Sequence, residues 1–567
     1  MKKLILSFVF LMATVFTIAQ TPKFDWAKKW GGAYDDLGIS VAVDANGNVY
    51  TTGSFSDSVD FDPSAARATL KSSGVSDIFI SKIDGTGKLV WAKKIGGATV
   101  DAGYAITTDA SGNIFITGGF TGAVDFDPGT AVKTLTASGS SGLMDIFVAK
   151  FDASGNLTWA KSIGANLTDY GSSIAVDASG NVYTTGFFYS TVDFDPDATT
   201  VNLSSKGNSD IFILKLDATG KFVWAKSIGS SSADAGRCIA LNASYVYITG
   251  TFSGTADFDP GLVEQLLTST GGTDIFALQL DKDGNYQWAK NMGGTLDEEG
   301  TSITVSASGL SYITGRFSGT ADFNPGTGKT ELTSAGDKDI FILKLDNSGN
   351  LSWAKRIGGL STDLGLSIAI DASGEIYTTG SFKGTVDFDP GANKSELTSL
   401  GLEDIFISKL DVLGNFLWAK KIGETLSDAG QCIFVSKTTG AIYLTGFFTG
   451  TVDFDPDAPK LELTSSGITD VFVEKINASS GSIENLTKNE IRIYPNPTTG
   501  IINLDLGNRN LGEIKIQILN SLGQIVLEQN SEVQQSNFSI QHLPKGLYLV
   551  GIIHENRLIQ SRKIVKL

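Results

Sequence analysis

The sequence predicts an all-β fold: a seven-bladed β-propeller of four-stranded repeats about 65 residues long, followed by a small C-terminal β-sandwich. Three motifs support this prediction, because each occurs seven times and a fixed period is the signature of a repeat architecture. The Trp of Trp-Ala recurs at Trp26, Trp91, Trp159, Trp224, Trp288, Trp353 and Trp418. Asp-Phe-Asp-Pro begins at Asp60, Asp125, Asp193, Asp257, Asp387 and Asp453, with Asp-Phe-Asn-Pro at Asp322. Asp-Ile-Phe begins at Asp77, Asp145, Asp210, Asp274, Asp339 and Asp404, with Asp-Val-Phe at Asp470.

Each repeat contains four runs that are rich in Val, Ile, Phe, Tyr and Thr, as β-strands are. In the third repeat these runs cover residues 172–177, 181–188, 210–216 and 221–228. Two Asp-x-x-Gly turns join them in pairs, because Asp bonds to the turn backbone and Gly adopts the positive φ. The run from Ile211 to Leu214 is apolar at every position, which predicts a strand buried on both faces.

The phase of the repeats predicts how the ends of the propeller meet. The chain begins with a fourth-strand sequence at residues 24–28, and the last repeat ends at its third strand, residues 470–475. We therefore expect the N-terminal strand to complete the seventh blade, which would remove two open sheet edges. A solenoid would also bury both faces of its strands, but it needs capping repeats, and the sequence has none.

The N-terminus and the composition indicate an exported protein. Residues 1–19 combine two lysines with an apolar run ending in a small residue, which is typical of a signal peptide; the run is too short for the alternative, a membrane anchor. The net charge of −17 excludes a nucleic-acid partner, and no later segment predicts a membrane span. Cys238 and Cys432 hold equivalent places three repeats apart, so we expect them to be unpaired.

The last 80 residues form a separate domain. A Ser- and Gly-rich linker is predicted at residues 478–488, between the propeller at 20–477 and a β-sandwich at 489–567. This domain holds both histidines, His542 and His554, so a His-based catalytic or metal site is excluded from the propeller. Removing the charges of the signal peptide and of this domain leaves about −22 on the propeller.

Two parts of the chain resemble known families. Residues 38–53, GISVAVDANGNVYTTG, resemble the bacterial SBBP-type β-propeller repeat, and this resemblance covers residues 24–477. The segments YPNPTTG at 494–500, LPKGLY at 543–548 and KIVK at 563–566 resemble the type A C-terminal sorting domain of the type IX secretion system. That resemblance implies passage across the outer membrane, contact with the secretion machinery, and release or attachment at the cell surface. A general adhesive sandwich is the alternative.

The Asp-Phe-Asp-Pro loops are the candidate cofactor sites, with calcium as the cation. In an extended chain, residues i and i+2 point the same way, so each loop offers two carboxylates while its Phe turns inward. The candidate ligands are Asp60, Asp62, Asp125, Asp127, Asp193, Asp195, Asp257, Asp259, Asp322, Asp387, Asp389, Asp453 and Asp455. In the alternative interpretation one Asp caps the turn and Pro fixes it.

A second candidate set is the acid two residues before a Gly at the start of each blade. Its members are Asp36, Asp101, Asp169, Asp234, Glu298, Asp363 and Asp428. These acids could line the mouth of the central channel as a ring of carboxylates, or each could cap the backbone beside a tight bend, which we favour. The seven Trp residues resemble the tryptophan-docking motif of quinoprotein propellers, which predicts blade-to-blade packing.

The uniform repeats favour a non-enzymatic function. The four arginines of the propeller, Arg67, Arg237, Arg316 and Arg356, occupy different repeat positions, so the sequence predicts no arginine cluster. We therefore predict a secreted or cell-surface scaffold that binds a protein or glycan. The alternative is a calcium-assisted carbohydrate-active enzyme, a hydrolase or lyase that uses carboxylates on the loop face.

Overall fold

The computed structural model describes residues 22–62, 64, 66–139, 142–197, 199–261, 263–455, 460–477, 492–494, 496–505, 514–520, 525–531, 535–554 and 557–566. Every regular element in these ranges is a strand, which confirms the all-β prediction. None of the described segments is a helix long and apolar enough to cross a membrane. The chain divides into two compact units between residues 478 and 479. The predicted signal peptide lies outside the described residues.

The first unit contains seven antiparallel sheets of four main strands each, numbered 1 to 7 from Leu37 onward. The first strands are Leu37–Val43, Ala102–Thr108, Tyr170–Val176, Ala235–Leu241, Glu299–Val305, Leu364–Ile370 and Ala429–Val435. The second strands are Val49–Phe55, Ile114–Phe120, Val182–Asp193, Tyr245–Asp257, Ser311–Phe317, Ile376–Asp387 and Ile442–Phe448. The third strands are Asp77–Ile83, Asp145–Phe151, Asn202–Leu216, Leu266–Asp281, Asp339–Leu345, Glu396–Leu410 and Asp470–Asn477. The fourth strands of sheets 1 to 6 are Leu89–Ile95, Leu157–Ile163, Phe222–Ile228, Tyr286–Gly294, Leu351–Ile357 and Phe416–Ile422.

The fourth strand of sheet 7 comes from the N-terminus. Lys23–Trp30 pairs antiparallel with Asp470–Asn477, and Trp30 lies opposite Val471 in the register. Trp30 is almost completely buried. The strand that opens the propeller sequence therefore lies in the same sheet as the strand that ends it.

The core of the first unit lies between the sheets. Seven clusters of buried apolar side chains are present, and each draws on two consecutive sheets. One of them joins Val471 and Val473 of sheet 7 to Val41 and Phe79 of sheet 1. The first strands also contact one another in order, and Ala429–Val435 contacts Leu37–Val43. Sheet 7 therefore packs against sheet 1 in the way that the other neighbours pack.

A short outer ribbon extends each sheet between its second and third strands. In three sheets it is a separate ribbon: Ser58–Asp60 with Thr69–Lys71, Ala123–Asp125 with Thr134–Thr136, and Thr451–Asp453 with Glu462–Thr464. The ribbon of sheet 5, Thr320–Asp322 with Glu331–Thr333, also pairs with Tyr286–Gly294 of sheet 4. In sheets 3, 4 and 6 the long second and third strands include it. The sequence pattern did not predict these ribbons, because they are three residues long and mostly exposed.

The tight turns bring neighbouring sheets together. Asp217 accepts hydrogen bonds from the backbone N–H groups of Thr219 and Lys221, at 2.8 and 3.0 Å. Gly220 follows with φ of 80°, and a Cβ at this position would approach the Trp159 ring to 2.7 Å. Trp159 Nε1 donates to the carbonyl of Ala218, at 3.3 Å. Four other tryptophans, Trp26, Trp224, Trp288 and Trp353, donate to the next sheet's turn in the same way, as blade-to-blade packing predicts.

The second unit has two sheets. One contains Arg492–Tyr494, Ile501–Asp505 and Gln535–Ser539; the other contains Ile514–Leu519, Ile525–Ser531, Gly546–His554 and Arg557–Lys566. Its core includes Ile516, Phe538 and Val550, all buried. The sequence predicted five of these strands and missed Arg492–Tyr494 and Gln535–Ser539, which have few apolar residues.

Candidate functional site

The Asp-Phe-Asp-Pro loops close the outer ribbons. Phe61 is fully buried, and its ring lies 5.5 Å from that of Phe55 and 5.2 Å from that of Phe79. The inward direction of the Phe side chain is therefore as predicted. Asp60 Oδ1 accepts the backbone N–H groups of Asp62 and Ala68, at 3.1 and 2.9 Å.

The same pair of backbone hydrogen bonds is made by Oδ1 of the first Asp in every other loop. These residues are Asp125, Asp193, Asp257, Asp322, Asp387 and Asp453. One oxygen of each carboxylate is thus engaged in the turn-capping role. In the part of the chain that the structure describes, no three His, Cys, Asp or Glu side chains are grouped so that they could hold a metal ion. Calcium binding by these loops stays an untested interpretation, and the capping contacts favour the alternative, a purely structural role.

We expect calcium to leave the thermal stability of the protein unchanged, because the first Asp of each loop already caps the backbone. Thermal unfolding of the purified protein in millimolar calcium, compared with thermal unfolding in a chelator, tests this. A ligand present at about 100 times its dissociation constant would add about 2.7 kcal/mol to the free energy of unfolding. A clear upward shift in the melting temperature that Asp257→Asn abolishes would contradict the capping interpretation and establish a cation site.

The acids before the first strands are buried rather than exposed at a channel mouth. All seven are at most 1% exposed, so the hypothesis of a solvent-facing ring of carboxylates is wrong. Asp101 Oδ2 accepts the N–H of Gly97 at 2.7 Å, and its Oδ1 accepts the N–H of Thr121 at 2.9 Å. Each of the other acids likewise accepts at least one backbone N–H. Their role is to cap the loop that joins two sheets.

Burial raises the pKa values of these acids, although the backbone hydrogen bonds oppose it. The pKa rises to about 7 for Asp36, Asp169, Glu298, Asp363 and Asp428, and to about 6 for Asp101. A smaller contribution comes from a second buried acid at the start of the neighbouring third strand, such as Asp77 beside Asp101. Each sheet junction therefore holds two buried carboxyl groups.

Each third-strand acid packs against a glycine, and among the described residues only four of the seven form an ion pair with a cationic side chain. A Cβ at Gly96 would lie 2.1 Å from Cγ of Asp77, so only glycine allows this approach. In four sheets the fourth strand places a cationic side chain beside this acid. Within 3.2 Å of each other are Lys94 and Asp77, Arg356 and Asp339, Lys421 and Asp404, and Lys29 and Asp470. Sheets 2, 3 and 4 have Ser162, Ser227 and Asn291 at this position.

The residues at the start of the first strands differ among the sheets. Glu299 of sheet 5 lies 2.9 Å from Nε of Arg237, in sheet 4, and 2.5 Å from a terminal nitrogen of Arg316. The expectation that the arginines are scattered is therefore wrong for this pair. The sequence feature that could have revealed this cluster is Glu299. At the same position five other sheets have an aliphatic residue and one has Tyr170.

An aromatic cluster joins the starts of the first strands of sheets 2 and 3. The rings of Tyr104 and Tyr170 are 5.0 Å apart, and Phe187 lies 4.3 Å from Tyr170. These side chains are all half-buried. The periodic motifs did not point to them, because these positions vary from repeat to repeat.

Exposed apolar side chains lie side by side at three consecutive junctions, near the starts of the first strands, and we call this set the apolar patch. Val75 donates its N–H to the carbonyl of Thr99, which places it beside Val100. The patch consists of Tyr34, Ile468, Val75, Val100, Leu400, Leu402 and Leu426, with exposed fractions of 37% to 67%. It belongs to sheets 6, 7, 1 and 2.

The two cysteines are free, as predicted. Cys238 lies between Ser173 and Ser302 of the neighbouring first strands, at 3.8 and 3.9 Å. Burial raises the pKa of Cys432. Both thiols belong to the packing between first strands.

Motif residues near the start of the C-terminal unit form hydrogen bonds with its last strand. Asn496 Oδ1 accepts the N–H of Val565 at 2.9 Å, and Thr498 donates its N–H to the carbonyl of Val565 at 2.8 Å. Tyr548 donates its hydroxyl to the carbonyl of Pro544 at 2.7 Å, and Lys566 reaches the carbonyl of Gln541 at 2.7 Å. The motif residues quoted above therefore have structural roles in this unit.

Family models match parts of both units. Residues 492–566 match the family model described as a secretion system C-terminal sorting domain, and residues 158–195 match the one described as a β-propeller repeat. Residues 64–89 and 457–489 match a GA-like domain model; the first range crosses strands of sheet 1. The chain thus contains a C-terminal sorting domain and a match to a β-propeller repeat, and the sorting domain indicates a secreted or cell-surface protein.

Individual relatives are distant. The chain is 25% identical over 443 residues, 64% of its length, to an uncharacterised WD repeat-containing protein of Acanthamoeba polyphaga mimivirus, and covers 31% of that protein. It is 25% identical over 199 residues, 35% of its length, to the regulatory protein FlaEY of Caulobacter vibrioides, and covers 20% of it. The chain therefore spans about a third or less of the length of these curated relatives.

Solved structures show low similarity. Sqt1 from Chaetomium thermophilum matches with a TM-score of 0.34 and 11% identity, covering 81% of this chain and 100% of that one. PorZ of Porphyromonas gingivalis, a surface component of the type IX secretion system, matches with a TM-score of 0.18 and 11% identity, covering 95% of this chain and 100% of that one.

Proposed function

We propose that the seven sheets are the blades of a closed propeller, and that this propeller is a non-enzymatic scaffold that binds a protein partner through the apolar patch. The sorting domain delivers the chain to the secretion machinery, so the propeller works outside the cell. The pairing of Lys23–Trp30 with Asp470–Asn477 and the seven core clusters support closure.

The apolar patch carries the proposal of binding. Scattered exposed aliphatic residues are normal, but a group of large apolar side chains at neighbouring positions is typical of an interaction site. Three adjacent junctions each place two or three such side chains side by side. For example, Gly401 packs against Thr425, which brings Leu400 and Leu402 next to Leu426.

The state of the carboxyl groups supports a non-enzymatic function. A general base must reach the proton that it removes from a substrate. The acids before the first strands are buried and bonded to the backbone, and those of the Asp-Phe-Asp-Pro loops cap turns. The seven repeats use them alike, so no pair has the separate environments that acid and base roles require.

Binding of the purified secreted protein to extracellular proteins of the producing culture tests the proposal. The triple variant Val75→Asn, Leu400→Asn, Ile468→Asn should lose at least tenfold in affinity for any captured partner, because one apolar contact is removed at each junction. Leu413→Asn is the matched control, since Leu413 is 67% exposed on a tight turn at the opposite ends of the strands.

Equal binding by the triple variant and the wild type would contradict the role of the patch. A defined hydrolase or lyase activity on a polysaccharide panel, lost in one Asp→Asn variant, would contradict the non-enzymatic function. Thermal melts of each variant show whether the fold is kept.

A further inference from the structure

The starts of the first strands of sheets 2 to 5 carry polar and aromatic side chains at consecutive sheet junctions, and we call this surface the groove. The third residue of these first strands is the extra residue of a β-bulge, and at two junctions it contacts the first residue of the next sheet's first strand. Tyr104 meets Tyr170 in this way between sheets 2 and 3. Arg237 meets Glu299 between sheets 4 and 5.

Small residues separate these two groups. Between sheets 3 and 4 the equivalent residues are the small Ser172 and Ala235. The hydroxyl of Ser172 is shielded from solvent and has no hydrogen-bond partner among the described residues. A buried hydroxyl without a partner costs free energy, so an added hydrogen-bond donor or acceptor beside Ser172 would be favourable.

The arginine side presents two guanidinium groups. Both of them share the single carboxylate of Glu299. The side chains of Arg237 and Arg316 are 34% and 32% exposed, whereas that of Glu299 is 15% exposed. Both guanidinium groups therefore keep donors that can reach a ligand.

The chemistry of the two sides defines the ligand class. A guanidinium group binds a carboxylate through two parallel hydrogen bonds, which a lysine cannot match. The opposite side offers the faces of Tyr104 and Tyr170 with their hydroxyl groups, and such surfaces combine apolar contact with hydrogen bonding. A ring that carries hydroxyl groups and a carboxylate satisfies both sides at once.

We propose that this groove binds an acidic saccharide, with the uronate carboxylate on Arg237 and Arg316 and the sugar ring against Tyr170. Glu299 holds the two arginines beside each other and competes with the ligand carboxylate for their donors.

Calorimetric titration of the purified secreted protein with trigalacturonate tests this proposal. The wild type should bind, and binding should weaken with added salt. The double variant Arg237→Gln, Arg316→Gln and the variant Tyr170→Ala should each lose at least tenfold in affinity. Arg67→Gln is the matched control, because Arg67 is exposed in a ribbon loop away from the groove. Glu299→Gln should bind severalfold more tightly, since it removes the competing carboxylate.

Three outcomes would overturn the proposal: no binding of trigalacturonate, equal binding of cellotriose, or unchanged binding by the double arginine variant. Tighter binding of adenosine monophosphate than of trigalacturonate would show that the groove takes a different class of ligand. Each variant is first compared with the wild type by thermal melting. Because the apolar patch is tested with other variants and another class of partner, failure here leaves that proposal standing.

Discussion

Removing residues 22–30 is expected to prevent the propeller from folding stably. The deleted strand contributes Trp26 and Trp30 to the core between sheets 7 and 1, and its loss exposes the edge of Asp470–Asn477. Trp30→Ala alone should lower the free energy of unfolding by about 3–5 kcal/mol, as truncation of a buried aromatic does. Thermal and denaturant unfolding, monitored by tryptophan fluorescence, provide the measurement.

The control is the chain that begins at residue 22, which lacks only the predicted signal peptide and a few following residues. A synthetic peptide of residues 22–32, added in excess to the truncated protein, should restore the wild-type melting profile by supplying the missing strand. A truncated protein that melts within a few degrees of the control would contradict the role of this strand.

The protein is expected to be more stable at pH 5 than at pH 8. The pKa values of Asp36, Asp169 and Asp363 are raised to about 7 in the folded state, mainly by burial. A group whose folded pKa exceeds its unfolded value stabilises the fold below the unfolded pKa, and this stabilisation is lost as the pH rises through the folded pKa. A shift of about three units contributes about 4 kcal/mol for one group.

The turn aspartates set the acidic limit of this stability. Partial burial acts to raise the pKa of Asp44, but hydrogen bonds from Asn48 and Tyr50 outweigh it and lower the pKa. Stability from such groups is present above the unfolded pKa and is lost as the pH falls. The two sets together predict a maximum in the free energy of unfolding near pH 5, declining toward pH 8.

Denaturant titrations at pH 4, 5, 6, 7 and 8 measure this profile. Asp101→Asn should flatten the decline between pH 5 and pH 7, because it removes one buried titrating group, even if it lowers the stability overall. Asp217→Asn, at an exposed turn, should leave the slope in this range unchanged. A free energy of unfolding that rises steadily from pH 5 to pH 8 would show that the buried acids are ionised without cost.

The repeated part of the structure follows from local rules in the sequence. An Asp followed three residues later by a Gly, as at Asp217 and Gly220, specifies a tight turn. The run Ile211–Leu214 is buried on both faces, as its composition predicts. The inward Phe61 follows from the two-residue period of an extended chain. These features depend on a few neighbouring residues, so the sequence is sufficient to predict them.

The groove could not be predicted because it depends on contacts between sheets. Arg237 and Arg316 are 79 positions apart in the sequence numbering and hold different places in their repeats. They meet because Glu299 lies directly opposite Arg316 in sheet 5 and beside the bulge residue of sheet 4. Comparing the same position across all repeats, rather than searching for shared motifs, would have revealed Glu299.

The outer ribbons show a similar limit. Thr320–Asp322 and Glu331–Thr333 are polar and short, so their composition resembles that of a loop. They form because Phe323 inserts between the sheets and holds the loop ends together. A tertiary contact, rather than strand propensity, decides their structure.

Hydrogen exchange of the backbone amides of Lys23–Trp30 examines closure of the propeller in the intact protein. If this strand completes sheet 7, its amides should be as strongly protected as those of the fourth strand Phe222–Ile228, because both are paired along their length. Exchange of the N-terminal amides within seconds, while Phe222–Ile228 stays protected for hours, would contradict a closed propeller.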